Sequence, residues 1–241
     1  MHTIQIIAKR ELRIFFDSLI AYILLIFFLG FSGFFTWLYG NDVFLSGQAN
    51  LRVFFEVARW TLFFFIPLLT MGLLAEEKKS GTIEILLTKS VTDRQVVLGK
   101  FSSTLLLIFI ALSLTFPYIW TVSSLGNLDW GATLFGYFAL LLMSAAYISI
   151  GIYASSLTDN QIVAALTAFF ISLFFQMIFN VLGGNLGGFL GEIFTYLSMY
   201  DHFESLARGV LDSRDMIYFL SISILGLFLA EVSLSKRNII S

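Results

Sequence analysis

Six apolar stretches constrain this chain more than any other feature: 19–38, 61–75, 101–122, 130–157, 162–182 and 216–234. Glu231 is the only charged residue inside them. A bilayer core of about 30 Å is crossed by roughly 20 residues of helix rising about 1.5 Å each. The stretch at 61–75 is short, but it extends outward through Trp60 and inward toward Glu76. Backbone N–H and C=O groups in lipid must bond within their own segment, which makes these runs helices rather than open strands. Only 12% of the residues are charged and 58% are hydrophobic, against about 25% charged in a soluble domain. The expected fold is an all-α integral membrane protein, one transmembrane domain over 1–241 with six spans.

Six spans place both termini on one side, and the basic residues indicate which. With cytoplasmic termini, ten lie inside: Lys9, Arg10, Arg13, Lys78, Lys79, Lys89, Arg94, Lys100, Lys236 and Arg237. Four lie outside: Arg52, Arg59, Arg208 and Arg214. Positive residues favour the cytoplasm, so a multi-pass membrane protein with both termini and the Glu76 loop inside is expected. The first apolar run is too long for the core of a secretory signal and no A-x-A site follows it, so it reads as a retained span.

Ahead of it, 1–17 reads as an interfacial helix. At about 100° per residue, Ile4, Ile7, Ala8, Ile14 and Phe15 share one side, and Lys9, Arg13 and Asp17 lie opposite. Glu11 falls on the apolar side. Two readings stand: a carboxylate snorkelling to the headgroups, or a buried partner for a lysine or arginine of the cytoplasmic loop.

No catalytic constellation is visible. The chain has no cysteine, which excludes disulfides and thiolate metal sites. Its two histidines, His2 and His202, are far apart, and no zinc spacing occurs. Gly99-Lys100 lacks the upstream glycines of a phosphate loop. A net charge of −2 argues against nucleic-acid binding. No cofactor is expected, and if ATP drives this chain, another subunit must bind it. Gln176 and Asn180 are the most polar residues of the fifth span, read mainly as interhelical hydrogen-bonding groups. Pro67 and Pro117 should loosen or kink spans two and three. The glycine-rich stretch 183–191 ends span five as an outer loop or a partly re-entrant segment, before an amphipathic piece at 200–211.

The loop between spans two and three is more structured than a turn requires. Span two should continue to about Lys79, and Ser80-Gly81 offers a left-handed helix stop. Thr82 can cap a short helix carrying Ile83, Glu84, Ile85, Leu86 and Leu87. Thr92-Asp93-Arg94-Gln95 matches a capping box that starts the third span. Such a helix either lies on the headgroups or serves as a docking knob.

The residues Glu76-Glu77-Lys78-Lys79-Ser80-Gly81-Thr82-Ile83-Glu84-Ile85-Leu86-Leu87-Thr88, with Val91 and Gly99-Lys100, resemble the E-E-[RK]-x-x-G-T-[LI]-E-x-L-L-[ST] loop of ABC-2 type transporter permeases. Lys9-Arg10-Glu11-Leu12 resembles the opening of many such permeases, and the six-span layout extends the resemblance over nearly the whole chain. Tyr200-Asp201-His202-Phe203 and Arg208-Gly209-Val210-Leu211-Asp212 look most like the permease associated with gliding motility. Ser90 and Leu19 depart from the common pattern, standing where many relatives have proline.

The resemblance implies a permease subunit of a bacterial cytoplasmic (inner) membrane, without an ATPase site of its own. It would form a homodimer or a heterodimer with a related permease, each copy resting on a cytoplasmic ATP-binding subunit. Ile83, Ile85, Leu86 and Leu87 would form the apolar knob of a coupling helix, and Gly81 and Thr82 would shape its start. Glu76, Glu77 and Glu84 would meet basic residues of the ATPase or of the N-terminal helix. The competing readings are a secondary carrier or channel, disfavoured by the lack of charge in the central parts of the spans, and a membrane anchor or assembly component that transports nothing.

Overall fold

The computed structural model describes residues 2–38, 49–82 and 91–236. Among the described residues, twelve α-helices and one π-helical turn are arranged as α1 (His2–Asp17), α2 (Ile20–Trp37), α3 (Arg52–Thr70), α4 (Gly72–Lys79), α5 (Asp93–Ser113), α6 (Phe116–Leu125), α7 (Trp130–Leu157), α8 (Gln161–Leu173), the π turn (Phe174–Ile178), α9 (Phe179–Asn185), α10 (Gly188–Leu197), α11 (Met199–Ala207) and α12 (Ser213–Ser235). No strand occurs among the described residues. Taken through their interruptions, these helices make six spans long and apolar enough to cross a membrane: Ile20–Trp37, Arg52–Lys79, Asp93–Leu125, Trp130–Leu157, Gln161–Asn185 and Ser213–Ser235.

The fourth span, α7, is the central pillar, and 72% of its apolar window is buried. Small residues along it let neighbours approach closely, the packing that membrane helices use in place of hydrophobic collapse. A Cβ at Gly151 would stand only 2.0 Å from Thr70 Oγ1 of the second span.

The second span begins at Arg52, well before the apolar run at 61. Arg52, Glu56 and Arg59 hide this start from a hydropathy reading, yet the helix carries all three. Arg59 therefore lies about 10 Å inside the helix start and is buried. Arg59, counted from the sequence among the outer residues, lies instead within the second span.

Two spans are interrupted near their prolines. In the second, Pro67 removes one N–H from the helical ladder, and the ladder breaks one turn later at Met71, although the backbone there keeps helical angles (φ −56°, ψ −38°). In the third, α5 ends before Leu114 and α6 restarts with Pro117 in its first turn. Span five passes through the π turn, where Gln176 is buried and accepts a 2.7 Å hydrogen bond from the Tyr147 hydroxyl. Asn180 donates to Asp201 at 3.0 Å. Gln176 and Asn180 thus both bond to other helices.

The end remote from α1 is closed by α10 and α11. His202 Nδ1 lies 2.6 Å from Asp215 Oδ1, its Nε2 lies 3.0 Å from the Tyr196 carbonyl, and its ring stacks on Tyr218. At the other end, the joint from α1 to α2 is made by Leu19 in the left-handed region (φ 63°), a conformation costing about 1–2 kcal/mol for a residue with a Cβ.

Candidate functional site

The stem of the Glu76 loop is the last part of span two, α4. It ends as the sequence anticipates: Lys78 and Lys79 occupy the last turn, where cations complement the helix dipole. Gly81 takes φ 70°, which a residue without a Cβ adopts at little cost. The Ser80 hydroxyl donates to the Glu76 carbonyl at 2.9 Å and lies 2.8 Å from Thr82 Oγ1. Chain description resumes at Val91, and Thr92 caps α5 through the full capping box with Gln95. Ile83, Glu84, Ile85, Leu86 and Leu87 lie outside the described residues.

Helix α1 packs along the start of α5. Ile7, Glu11 and Phe15 make its buried stripe, an i, i+4, i+8 row on one face. Ile14, expected on the apolar side, is exposed, so α1 turns its Ile7–Phe15 row toward protein. Gly99 permits this approach, since a Cβ there would fall 2.6 Å from Ile7 Cγ2.

The stripe carries Glu11 into an ion cluster. Lys100, 1% exposed, lies 2.8 Å from Glu77 Oε1 and 3.3 Å from Glu11 Oε1. Arg10 closes the ring at 2.6 Å from Glu11 and 3.3 Å from Glu77. Two carboxylates thus share two cations, and α1, α4 and α5 are tied at one point. Of the two readings of Glu11, the geometry supports the buried partner. An exposed ion pair contributes little, but a buried one is costly to break because it leaves a charge without its counter-ion.

A second tie holds the stem from the other side. Ser155 Oγ of α7 accepts from the Leu74 and Ala75 amides, both at 3.0 Å, and donates to the Met71 carbonyl at 2.8 Å. It therefore bridges the point where the span-two ladder is interrupted. The Lys78 ammonium donates to the Ser156 carbonyl, which also accepts from Ser233 Oγ of α12 at 3.0 Å. Beside this joint lies a cavity of about 370 Å³, lined in part by Glu11, Glu76, Gly72, Lys100 and Gln161.

Of the residues singled out in sequence, the structure brings together Arg10, Glu11 and Glu77, and leaves Lys9, Glu76 and Thr82 exposed at the surface. Lys100 and Ser155 were not given these roles. A lysine one residue before an apolar run is a readable signal for the first. Nothing marks Ser155 among the other serines of α7. No group of histidine, aspartate and glutamate able to hold a metal occurs among the described residues.

A family model described as ABC-2 family transporter protein matches residues 5–213. No curated protein matches the chain.

Proposed function

The chain belongs to the ABC-2 transporter family, and we propose that it is the membrane subunit that transmits ATP-driven movement of a separate ATPase into six helices. The observation that carries this reading is continuity. One span, Arg52–Lys79, leads through α3 and α4 into the stem of the Glu76 loop. That stem is tied to α1 and α5 by the Lys100 cluster, and to α7 by Ser155. A push on the loop would therefore reach three spans directly. A ligand moves such a system only through contacts that differ between its two states. Here the differing contacts would be those of the ATPase with Ile83–Leu87, Glu76 and Glu84.

The distribution of basic residues supports a cytoplasmic α1 face: Lys9, Arg10 and Arg13 lie in α1, Lys78 and Lys79 end α4, Arg94 and Lys100 lie in the first part of α5, and Lys236 follows α12, as the preference of basic residues for the cytoplasm would have it. Two permeases, identical or related, would sit on two ATPases in a bacterial inner membrane. The Tyr200–Phe203 and Arg208–Asp212 segments support a link to gliding motility. Affinity purification of the tagged chain from its native membrane tests the proposal. An ATP-binding subunit should co-purify in stoichiometric amount, and its absence would remove the basis for the reading.

A further inference from the structure

Consecutive residues of α11 fasten the end of the molecule remote from α1. The rings of Tyr200 and Phe203 lie against the Arg59 guanidinium of the second span, at 4.4 Å and 5.6 Å. Asp201 accepts from Asn180 of α9, whose Nδ2 lies 3.0 Å and 3.2 Å from its two oxygens. His202 joins α12 and α10 together, with Nδ1 2.6 Å from Asp215 Oδ1 and Nε2 3.0 Å from the Tyr196 carbonyl. Of these ties, the one through His202 hangs on a proton that can be lost near neutral pH.

The partners of the ring fix its protons. A carbonyl oxygen only accepts, so Nε2 carries a hydrogen. Asp215 stands in the first turn of α12, where the helix dipole favours negative charge. The carboxylate therefore accepts as well, and Nδ1 carries the second hydrogen. The ring is an imidazolium. Among the described residues it is also the sole hydrogen-bond partner of this carboxylate, whose Oδ2 is buried with none.

Removing one proton turns the tie against itself. The neutral ring keeps its Nε2 hydrogen on the Tyr196 carbonyl and points the bare Nδ1 at a carboxylate. Two acceptors then face each other where the side chains are 10% and 7% exposed, and buried acceptors without a donor are costly. Once the helices part, water bonds both groups. The closed arrangement is therefore favoured while the ring holds both protons and is lost as the pH rises. The exposed edge of the ring lets the proton leave without a channel.

No neighbouring charge replaces that proton. On α12, Tyr218 stacks on the imidazole at 4.0 Å and its hydroxyl donates to the Leu197 carbonyl, while Arg214 is exposed. On α11, Asp201 is held by Asn180, and Glu204 and Arg208 line a cavity with Glu56 of α3 and Asp129 of α7. Glu192 of α10 is exposed. The Tyr147 hydroxyl of α7 donates to Gln176 of the π turn, and Arg59 lies against Tyr200 and Phe203.

We propose that His202 and Asp215 form a proton-sensitive latch, which holds α10 and α11 on the sixth span while the ring is doubly protonated and releases them in alkaline medium. The inference does not rest on the transport reading.

The test is hydrogen exchange on the full chain in detergent at about pH 6 and about pH 9. In that window histidine titrates, while ordinary carboxylates stay ionised and tyrosines stay largely protonated. Rates are corrected for the intrinsic pH dependence of exchange and referred to the α7 amides at the same pH. Protection over residues 199–207 should fall by about tenfold or more relative to α7 at the higher pH. Asp215→Asn should stay protected at both, because its amide can donate to the bare Nδ1 of a neutral ring that still bonds Tyr196. His202→Gln should lose the pH dependence. In a chain carrying His2→Gln, nitrogen NMR of the remaining imidazole should find both ring nitrogens protonated at neutral pH. A neutral ring in that spectrum overturns the proposal, and so does an unchanged ratio of α11 to α7 protection in the parent. Both readouts stand whether or not the variants at 202 and 215 fold. A pH-dependent loss that persists in Asp215→Asn or His202→Gln also overturns it, since another group would then be the one that titrates.

Discussion

Lys100 and Glu77 meet at 2.8 Å across the start of the third span and the stem that leaves the second, and the lysine is 1% exposed. The pair fixes where the Glu76 loop departs from the membrane domain. Glu11 of α1 joins the same ammonium at 3.3 Å, so a helix lying ahead of the first span becomes part of the loop's support. The N-terminal helix is thereby a structural member of the proposed coupling machinery.

Replacing Lys100 with methionine should be strongly destabilising. It leaves Glu11 and Glu77 with only the half-exposed Arg10 between them, and breaking a buried pair costs about 3–5 kcal/mol. The detergent melting temperature should fall clearly. The triple variant Glu11→Gln, Glu77→Gln, Lys100→Met should recover much of the loss, because the one charge left without a partner, Arg10, is 44% exposed and can be solvated. A triple variant as unstable as the single one would mean that packing, and not charge, sets the cost.

Gly99→Leu tests the seat of α1. The new side chain would occupy the space of Ile7, and overpacking a fitted contact costs about 1–3 kcal/mol. The expected response is release of α1 while the spans stay folded. Protease cleavage between residues 2 and 17 should become faster in Gly99→Leu than in the parent. The rate should be unchanged if α1 is held by lipid alone.

Much of this architecture is legible in the sequence. The spans are visible because apolar runs of membrane length have few other uses, and the stem's limits are visible because Gly81 and the Thr92–Gln95 box are local signals. The start of span two is hidden because the burial of Arg59 depends on Tyr200 and Phe203, some 140 residues away. Glu11 could be read either as reaching the headgroups or as a buried partner, and only α1 packing on α5 decides between them and names Lys100. The Ser155 bridge is a purely tertiary fact. It exists because Gly151, one turn earlier, lets α7 lie against Thr70.

Ser155→Ala should separate stability from coupling. The Leu74 and Ala75 amides lose their shared acceptor and the Met71 carbonyl loses a donor, a loss of about 1–3 kcal/mol for buried groups. The ion cluster is untouched, so the complex with the ATPase should still assemble. Hydrogen exchange at residues 71–75 should accelerate relative to the rest of span two. Uniform acceleration along Arg52–Lys79 would show that Ser155 does not hold a distinct joint.

The most direct test of the proposed coupling acts on residues 86 and 87, beyond the described stem. Leu86→Asp together with Leu87→Asp places two charges on what would be an apolar docking knob. Desolvating them against a partner is unfavourable, and removing the centre of an interface typically weakens binding by about tenfold or more. The spans should be indifferent, because α4 already ends at Lys79 and α5 starts from its own cap at Thr92. The variant should therefore melt like the parent in detergent, fail to retain the ATPase on purification, and lose permease-dependent stimulation of ATP hydrolysis. A variant that melts early would place these leucines in the membrane domain's own core. One that keeps both the partner and the stimulation would show that the ATPase grips some other surface, and the exposed Glu76 and Thr82 would be the next positions to change.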